Sequence, residues 1–90
     1  MDFNQAVITT QFVINNDSKI VYVYHSDEGW QFFGAEKEIN EEDACATSLL
    51  NIIISNPHVE EILWLPEGME AWLIGNNEKK EWQTGIVKEY

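Results

Sequence analysis

The stretch KIVYVYHSDEGWQFF, residues 19–33, decides the fold that this sequence predicts. Its first half is rich in β-branched and aromatic residues, SDEG is a turn sequence, and WQFF begins another strand pattern. Upstream, residues 6–14 read AVITTQFVI before the turn cluster NNDS, which predicts a further strand. Three strands joined by tight turns predict an N-terminal antiparallel meander.

A helix is predicted downstream, over about residues 41–55. Asn40 is a good N-cap, and three acids follow it where negative charge meets the positive end of the helix dipole. The helix should end at Asn56, because the residue before Pro57 is disfavoured in the helical region. The apolar run at residues 49–54 also fits a buried strand, and the N-terminal cap favours the helix. The apolar stripe that would pack on one face of the sheet consists of Cys45, Leu49, Ile52 and Ile53.

The C-terminal third predicts the rest of the sheet. Residues 66–68 form a turn sequence, and strands are expected at about 69–74 and 82–87. Ninety residues close one hydrophobic core. We therefore predict a single α+β domain over residues 1–90, with an antiparallel sheet of about four to five strands and the helix on one face.

The charge is strongly acidic and unevenly distributed. The sequence contains sixteen acidic residues, five lysines and no arginine. Ten of the eleven net negative charges fall within residues 27–70. This balance argues against nucleic acid and anionic membranes, which are bound through lysine and arginine clusters. A basic protein partner fits better, because opposite charge speeds encounter. Acidity that only keeps the protein soluble is an equally weighted alternative.

No combination of residues predicts catalysis, a metal or a cofactor. His25 and His58 each have two acids nearby in sequence, but zinc sites draw on several His or Cys ligands at recognisable spacing. Cys45 follows three acids, an electronegative surrounding that disfavours a thiolate nucleophile. As the single cysteine it excludes an internal disulfide, and no signal-like segment opens the chain, so a cytoplasmic protein is expected. We therefore predict a non-enzymatic binding protein.

The aromatic residues are the more informative set. Tyr22 and Tyr24 alternate with valines, so the strand must point them to the face opposite the valines. Coverage of both sheet faces, by the helix and by the C-terminal segment, would bury Trp30 and Trp72. Trp and Tyr are enriched at interface hot spots, and acids around them suit a protein interface. The candidate partner-binding residues are Glu41, Glu42, Asp43, Glu60, Glu61, Trp64, Glu67, Glu70 and Trp82.

Two motifs carry a family resemblance, WQFFG at residues 30–34 and LPEGMEAW at residues 65–72. With the acidic segment and the apolar helix between them, the chain resembles small bacterial domains classed with the immunity proteins of polymorphic toxin systems, of the immunity protein 33 type. The resemblance implies an α+β intracellular protein that binds and neutralises a cognate toxin. It also implies motif residues that mainly preserve the fold, namely Trp30, Phe32, Gly34, Pro57, Pro66, Gly68 and Trp72.

Two hypotheses of function follow. The first is an immunity protein whose acidic surface docks on a basic toxin. The second is a general adaptor or regulatory module that binds a protein or peptide, for example by adding a strand to an exposed sheet edge. Charge reversal of the acidic surface should abolish binding in the first case and leave it in the second.

Overall fold

The structure is a computed structural model that describes residues 2–36, 38–75 and 79–87. The predicted α+β class is confirmed, and this part of the chain contains six strands where four to five were predicted. The elements are β1 (Ala6–Thr10), α1 (Gln11–Ile14), β2 (Tyr22–Ser26), β3 (Gly29–Phe33), a 3-10 helix (Glu41–Asp43), β4 (Ala44–Ser48), α2 (Leu49–Ser55), a second 3-10 helix (Pro57–Ile62), β5 (Met69–Gly75) and β6 (Lys80–Ile86).

All six strands form one mixed sheet in the order β4-β1-β3-β2-β5-β6. The predicted meander is wrong in one respect, because β1 pairs in parallel with β3, with Ile8 opposite Gln31, and has no ladder with β2. The first strand also ends early. Thr10 accepts a hydrogen bond from the Val13 N–H at 3.4 Å and caps α1. Residues 11–21 then lead to β2, which lies on the opposite side of β3 from β1, and β3 returns beside β1 in the parallel direction.

The predicted helix over residues 41–55 divides into three elements. Asn40 starts only a 3-10 turn, in which its N–H donates to Asp43 Oδ2 at 3.0 Å. Residues 44–48 then form β4, whose five residues all pair with β1 in antiparallel register. The α-helix begins after Ser48, which accepts a hydrogen bond from the Asn51 N–H, and ends before Asn56 as predicted. Ladder bonds to β1 therefore outweigh the local helix signal.

The C-terminal strands complete the sheet. β5 pairs antiparallel with both β2 and β6, so the predicted strands at 69–74 and 82–87 are confirmed with small shifts of their ends. Residues 76–78, which connect these two strands, lie outside the described part of the chain. β6 lies beside β5 in the plane of the sheet and does not cover a face.

The hydrophobic core lies on one side of the sheet only. Inward residues of the strands pack there against α1, α2 and the second 3-10 helix, so the described helices share this side. The buried core residues are Val7, Val13, Ile20, Val23, Trp30, Phe32, Leu49, Ile52, Ile53, Val59, Ile62, Leu65 and Ala71. Successive strand residues point to opposite sides of a sheet. The alternate positions therefore form a second side, which we term the open face.

Candidate protein-binding surfaces

The open face carries a row of aromatic side chains across three neighbouring strands. Phe33 on β3 lies opposite Tyr22 on β2, and Tyr22 lies opposite Trp72 on β5. The Tyr22 and Phe33 ring centroids are 6.1 Å apart and the rings are tilted by 36°. The next row places Tyr24 opposite Glu70. The register assigns these positions to the open face: Ala44, Ala46, Ile8, Gln31, Phe33, Tyr22, Tyr24, Glu70, Trp72, Ile74, Glu81, Gln83 and Gly85.

Trp72 is not buried, because no layer covers its side of the sheet in the described part of the chain. It is 38% exposed, whereas Trp30, predicted to be buried with it, is 3% exposed. The Trp72 ring leans over the neighbouring strand, with Cη2 at 3.4 Å from the position that a Cβ at Gly85 would occupy. A Cβ at Gly85 would make only ordinary van der Waals contact with the Trp72 ring, which lies beside the β6 backbone at this residue.

The carboxylate of Glu70 is held in the middle of this aromatic surface. The Tyr22 hydroxyl donates a hydrogen bond of 2.6 Å to Glu70 Oε2. Burial of the phenol, and then the hydrogen bond and negative charge of Glu70, raise the pKa of Tyr22 well above its ordinary value. The phenol stays protonated at physiological pH, so the pair presents one oriented negative charge among aromatic rings.

The open face is also free of cations at its described strand positions. Those positions include two carboxylates, Glu70 and Glu81, and no lysine. Lys79 lies at the margin, where its Nζ is 3.2 Å from Glu81 Oε1. Near one end of the face, Asp27 and Glu67 line a hollow with Tyr24. The electrostatics of this surface therefore favour a positively charged partner.

Trp64 and Trp82 lie together on the other side of the sheet. A hollow between the second 3-10 helix and β6 is lined by Glu61, Trp64, Lys80, Glu81 and Trp82, and we term it the Trp82 hollow. Trp64 is 62% exposed and donates from Nε1 to its own turn, to the Glu61 carbonyl at 2.9 Å. The structure thus brings three of the candidate binding residues together.

Trp82 is more firmly held than Trp64. Its Nε1 donates to the His58 carbonyl at 3.1 Å, and its ring stacks on the His58 imidazole with centroids 5.8 Å apart. His58 Nε2 lies 2.8 Å from the Ile20 carbonyl, which can only accept, so Nε2 carries the proton. Trp82 therefore ties β6 to the second 3-10 helix, a structural role.

The charges around the Trp82 hollow are mixed, because two lysines lie near it. Lys80 lines this hollow, and Lys19 and Lys80 both line the adjoining one with His58 and Glu61. These two lysines offset the carboxylates of Glu61 and Glu81, which also line the hollow. The open face is the better candidate for a basic partner on this ground.

The remaining predicted acids do not form one surface. Glu41 and Glu42 are exposed beside β4, the strand at one side of the sheet, while Glu60 and Glu61 lie in the second 3-10 helix. Asp43 is buried, accepting hydrogen bonds from Gln11 Nε2 at 2.6 Å and from the Asn40 N–H. Its carboxylate holds α1 to the 3-10 turn and is not available to a partner. Glu67 and Glu70 lie on or beside the open face.

Most motif residues of the resemblance have structural positions. Trp30, Phe32 and Gly34 are buried. Pro57 begins the second 3-10 helix, and Gly68 has a φ of +88°, a conformation that side chains with a Cβ rarely adopt. The Pro66 carbonyl accepts from the Met69 N–H at 3.3 Å in the turn before β5. Trp72 differs from these because its ring lies on the open face.

Both histidines make contacts within the fold. His25 Nδ1 donates to the Leu65 carbonyl at 2.6 Å, and its ring stacks on Trp30 with centroids 3.9 Å apart. Cys45 is unpaired and lies on β4, not on a helix stripe. Among residues 2–36, 38–75 and 79–87, no group of three or more His, Cys, Asp or Glu side chains is arranged to hold a metal ion.

No protein-family model, curated protein or solved structure matches this chain. None of the helices in the described residues is long and apolar enough to cross a bilayer. The class that the fold defines is therefore an α+β domain with a six-stranded mixed sheet, helices on one side and an aromatic face on the other.

Proposed function

We propose that this chain is a non-enzymatic protein-binding domain, an immunity protein of a bacterial toxin system that acts in the cytoplasm. Its open face is the surface that docks on a basic cognate toxin. The observation that carries the proposal is the open face itself, where aromatic side chains surround a fixed carboxylate and the described strand positions hold no lysine. The toxin as partner comes from the resemblance of the two motifs to immunity proteins.

Aromatic residues make this face suitable for binding. A sheet face normally packs on another layer, and an uncovered apolar one marks an interaction site. Tyr and Trp are the residue types that most often dominate binding energy. Ile8, Trp72 and Ile74 remain 41%, 38% and 45% exposed in the isolated chain. A partner that covers them would gain apolar burial at three points across the face.

The size of the face indicates which other residues take part. Six strands spaced about 4.8 Å apart span roughly 24 Å, and a five-residue strand is about 17 Å long. The resulting area of roughly 400 Å² is smaller than the about 800 Å² that each partner contributes to a standard interface. A partner that forms an interface of standard size would therefore also contact the margins, where Asp27 and Glu67 line a hollow and Lys79 is paired with Glu81.

Charge selects the kind of partner. The chain carries a formal charge of −11, and the lysines at 19 and 80 line hollows on the helix side. A basic toxin would approach the open face without meeting those lysines. Attraction between exposed charges is screened by salt, so binding should weaken as ionic strength rises.

The test uses the gene next to the one that encodes this chain, because immunity proteins of such systems are encoded beside their toxins. That product should be toxic when expressed alone and harmless when co-expressed with the wild-type chain. Trp72→Ser and Glu70→Gln should both reduce the rescue, since one removes an aromatic contact and the other removes charge while keeping a hydrogen-bond acceptor for Tyr22. Glu60→Gln on the helix side is the charge-matched control and should rescue fully.

Two outcomes would contradict the proposal. If the neighbouring gene product is harmless when expressed alone, the proposed partner is not a toxin. If circular dichroism shows that Trp72→Ser and Glu70→Gln are folded and both rescue fully, the open face is not the docking surface.

A further inference from the structure

The outermost strand β4 leaves part of its backbone unpaired. The Leu49 N–H donates to the Gln5 carbonyl at 3.0 Å, which makes residues 5 and 49 a hydrogen-bonded pair of the β1–β4 ladder. Such pairs alternate along an antiparallel ladder, so Thr47 and Cys45 direct their N–H and C=O groups to β1. Ala44 and Ala46 then direct their C=O groups, and Ala46 its N–H, away from the sheet, while the Ala44 N–H donates to the Glu41 carbonyl of the 3-10 turn. The free edge therefore offers the Ala44 carbonyl and both backbone groups of Ala46 to another strand.

This edge lacks the features that usually prevent strand addition. Natural edge strands are blocked by lysine, proline, a bulge or a covering loop. The β4 sequence is Ala-Cys-Ala-Thr-Ser, and its five pairs with β1 continue without a bulge. Ala44 and Ala46 are both exposed. The edge is therefore accessible to an extended peptide.

An apolar groove lies beside β4 on the helix side. It has a volume of about 250 Å³ and is bounded by α1, α2 and the Thr47 side chain of β4. Ile14 on its α1 wall is 45% exposed, and Ile54 on its α2 wall is 67% exposed. In a strand added to β4, alternate side chains would point toward this side of the sheet. One apolar side chain of the peptide would enter the groove and contact both isoleucines.

The charges near β4 specify the peptide further. Glu41 and Glu42 are exposed three and two residues before Ala44, and Glu38 is exposed a few residues earlier. Residues 38–55 contain no lysine or arginine. Lys or Arg side chains on the peptide, at the end that lies beside Ala44, would meet these carboxylates. A second copy of the chain fits less well, because each copy carries a formal charge of −11.

We propose that β4 is a strand-addition site for an extended peptide segment of a partner, with basic residues beside Ala44 and an apolar side chain in the Ile14–Ile54 groove. The site uses a sheet edge and not the open face. It therefore does not depend on the toxin-binding proposal, and each can fail separately.

The test is selection from a phage library of random decapeptides against the folded wild-type chain. Selected peptides should carry Lys or Arg at one end and a Val, Ile or Leu in the middle. In amide NMR spectra, a synthetic copy of the selected peptide should shift the signals of Ala44 and Ala46 and leave those of Tyr24 and Trp72 in place. Affinity is then measured by fluorescence anisotropy with the labelled peptide.

Ala46→Pro is the decisive variant, because it removes an N–H that points away from the sheet, a position where edge strands tolerate proline. It should weaken peptide binding by about tenfold or more. The matched control Ala46→Ser keeps the N–H and should bind within about twofold of wild type.

If Ala46→Pro does not fold, Ile54→Ser is the second test variant. It should fold, because the Ile54 side chain is largely exposed and is not needed for the core. It should also weaken binding. The double change Glu41→Gln and Glu42→Gln should do the same, whereas Glu28→Gln in the β2–β3 turn should not.

Unchanged affinity in Ala46→Pro and Ile54→Ser would overturn the proposal, as would enrichment of no peptide or shifts confined to the open face. A wild-type dimer that Ala46→Pro converts to a monomer would assign the edge to a second copy of the chain instead.

Discussion

Tyr22 and Glu70 are joined across neighbouring strands by a hydrogen bond of 2.6 Å from the phenol to Oε2. The two residues are diagonal neighbours in the ladder between β2 and β5, since Tyr22 lies opposite Trp72 and Tyr24 opposite Glu70. Side chains at such positions remain within reach of each other when they are long. The pair fixes the direction of the carboxylate on the open face, so its charge is oriented before any partner arrives.

Tyr22 should titrate later than an ordinary tyrosine. Burial and the bond to Glu70 raise the pKa of Tyr22 above its ordinary value of 10.0, because folding favours the protonated phenol. Its contribution to folding stability is therefore fully present below pH 10.0 and is lost as the pH rises beyond that value. Absorbance at alkaline pH should show one phenol ionising after the others, a step that Tyr22→Phe removes and Tyr24→Phe keeps. Ionisation of all tyrosines together near pH 10.0 would contradict this assignment.

Asn56 should be the most important buried polar side chain for stability. It is 3% exposed, and its Oδ1 accepts from the N–H of Ile20, which is 0% exposed. Asn56→Ala leaves this donor buried without a partner and should lower the free energy of unfolding by about 1–3 kcal/mol. Thermal unfolding measures the loss. Asn51→Ala, at an exposed amide on α2, is the control and should change stability by less than about 0.5 kcal/mol. Equal losses in the two variants would exclude the special role of Asn56.

Gly34 should resist substitution because of Ser18. A Cβ at position 34 would lie 2.8 Å from the Ser18 Cβ, which is closer than two carbons can approach. Gly34→Ala should therefore destabilise the chain by roughly 1–3 kcal/mol, as overpacking does. Denaturant unfolding of the double variant Gly34→Ala with Ser18→Gly should show recovery of much of this loss, because Ser18→Gly removes the obstructing side chain. If the stability losses of the two single variants simply add in the double variant, the contact with Ser18 is not the cause of the strain.

Trp82 and Trp64 should differ in their effect on stability although both line the Trp82 hollow. Trp82 is partly buried, stacks on His58 and donates to the His58 carbonyl, whereas Trp64 is 62% exposed and bonds within its own turn. Trp82→Ala should cost roughly 1–3 kcal/mol and Trp64→Ala less than about 0.5 kcal/mol. Urea unfolding followed by far-ultraviolet circular dichroism avoids the loss of fluorescence in these variants. A Trp64→Ala cost as large as that of Trp82→Ala would show that Trp64 also belongs to the packed structure.

Local patterns predicted much of the chain because they depend on neighbouring residues. The alternation at residues 19–33 predicted β2 and β3, and the Asn56-Pro57 pair predicted the end of α2. Residues 44–48 were assigned to the wrong element. The segment mixes alanines, which favour helix, with Thr47, which favours strand, and β4 forms because β1 is available to pair with it.

The candidate site was only partly predictable. The alternation of Tyr22 and Tyr24 with valines indicated a second aromatic side of the sheet. The sequence could not predict which acidic residues lie close together in space. Glu41 and Glu61 lie on different elements, and the distance between those elements depends on the strand order. The burial of Asp43 was also not visible, because its partner Gln11 is thirty-two positions away in sequence.

By itself the sequence determined the α+β class, the turns, the strongly negative charge and the two-sided character of its strands, because these follow from residue types and short spacings. Tertiary structure alone decided the strand order, including the contact of Ile8 with Gln31 and of Thr9 with Cys45. The physical reason is that backbone hydrogen bonds between strands have nearly the same geometry for every residue type. The core must therefore select which strands meet, and that selection leaves one face and one edge of the sheet open.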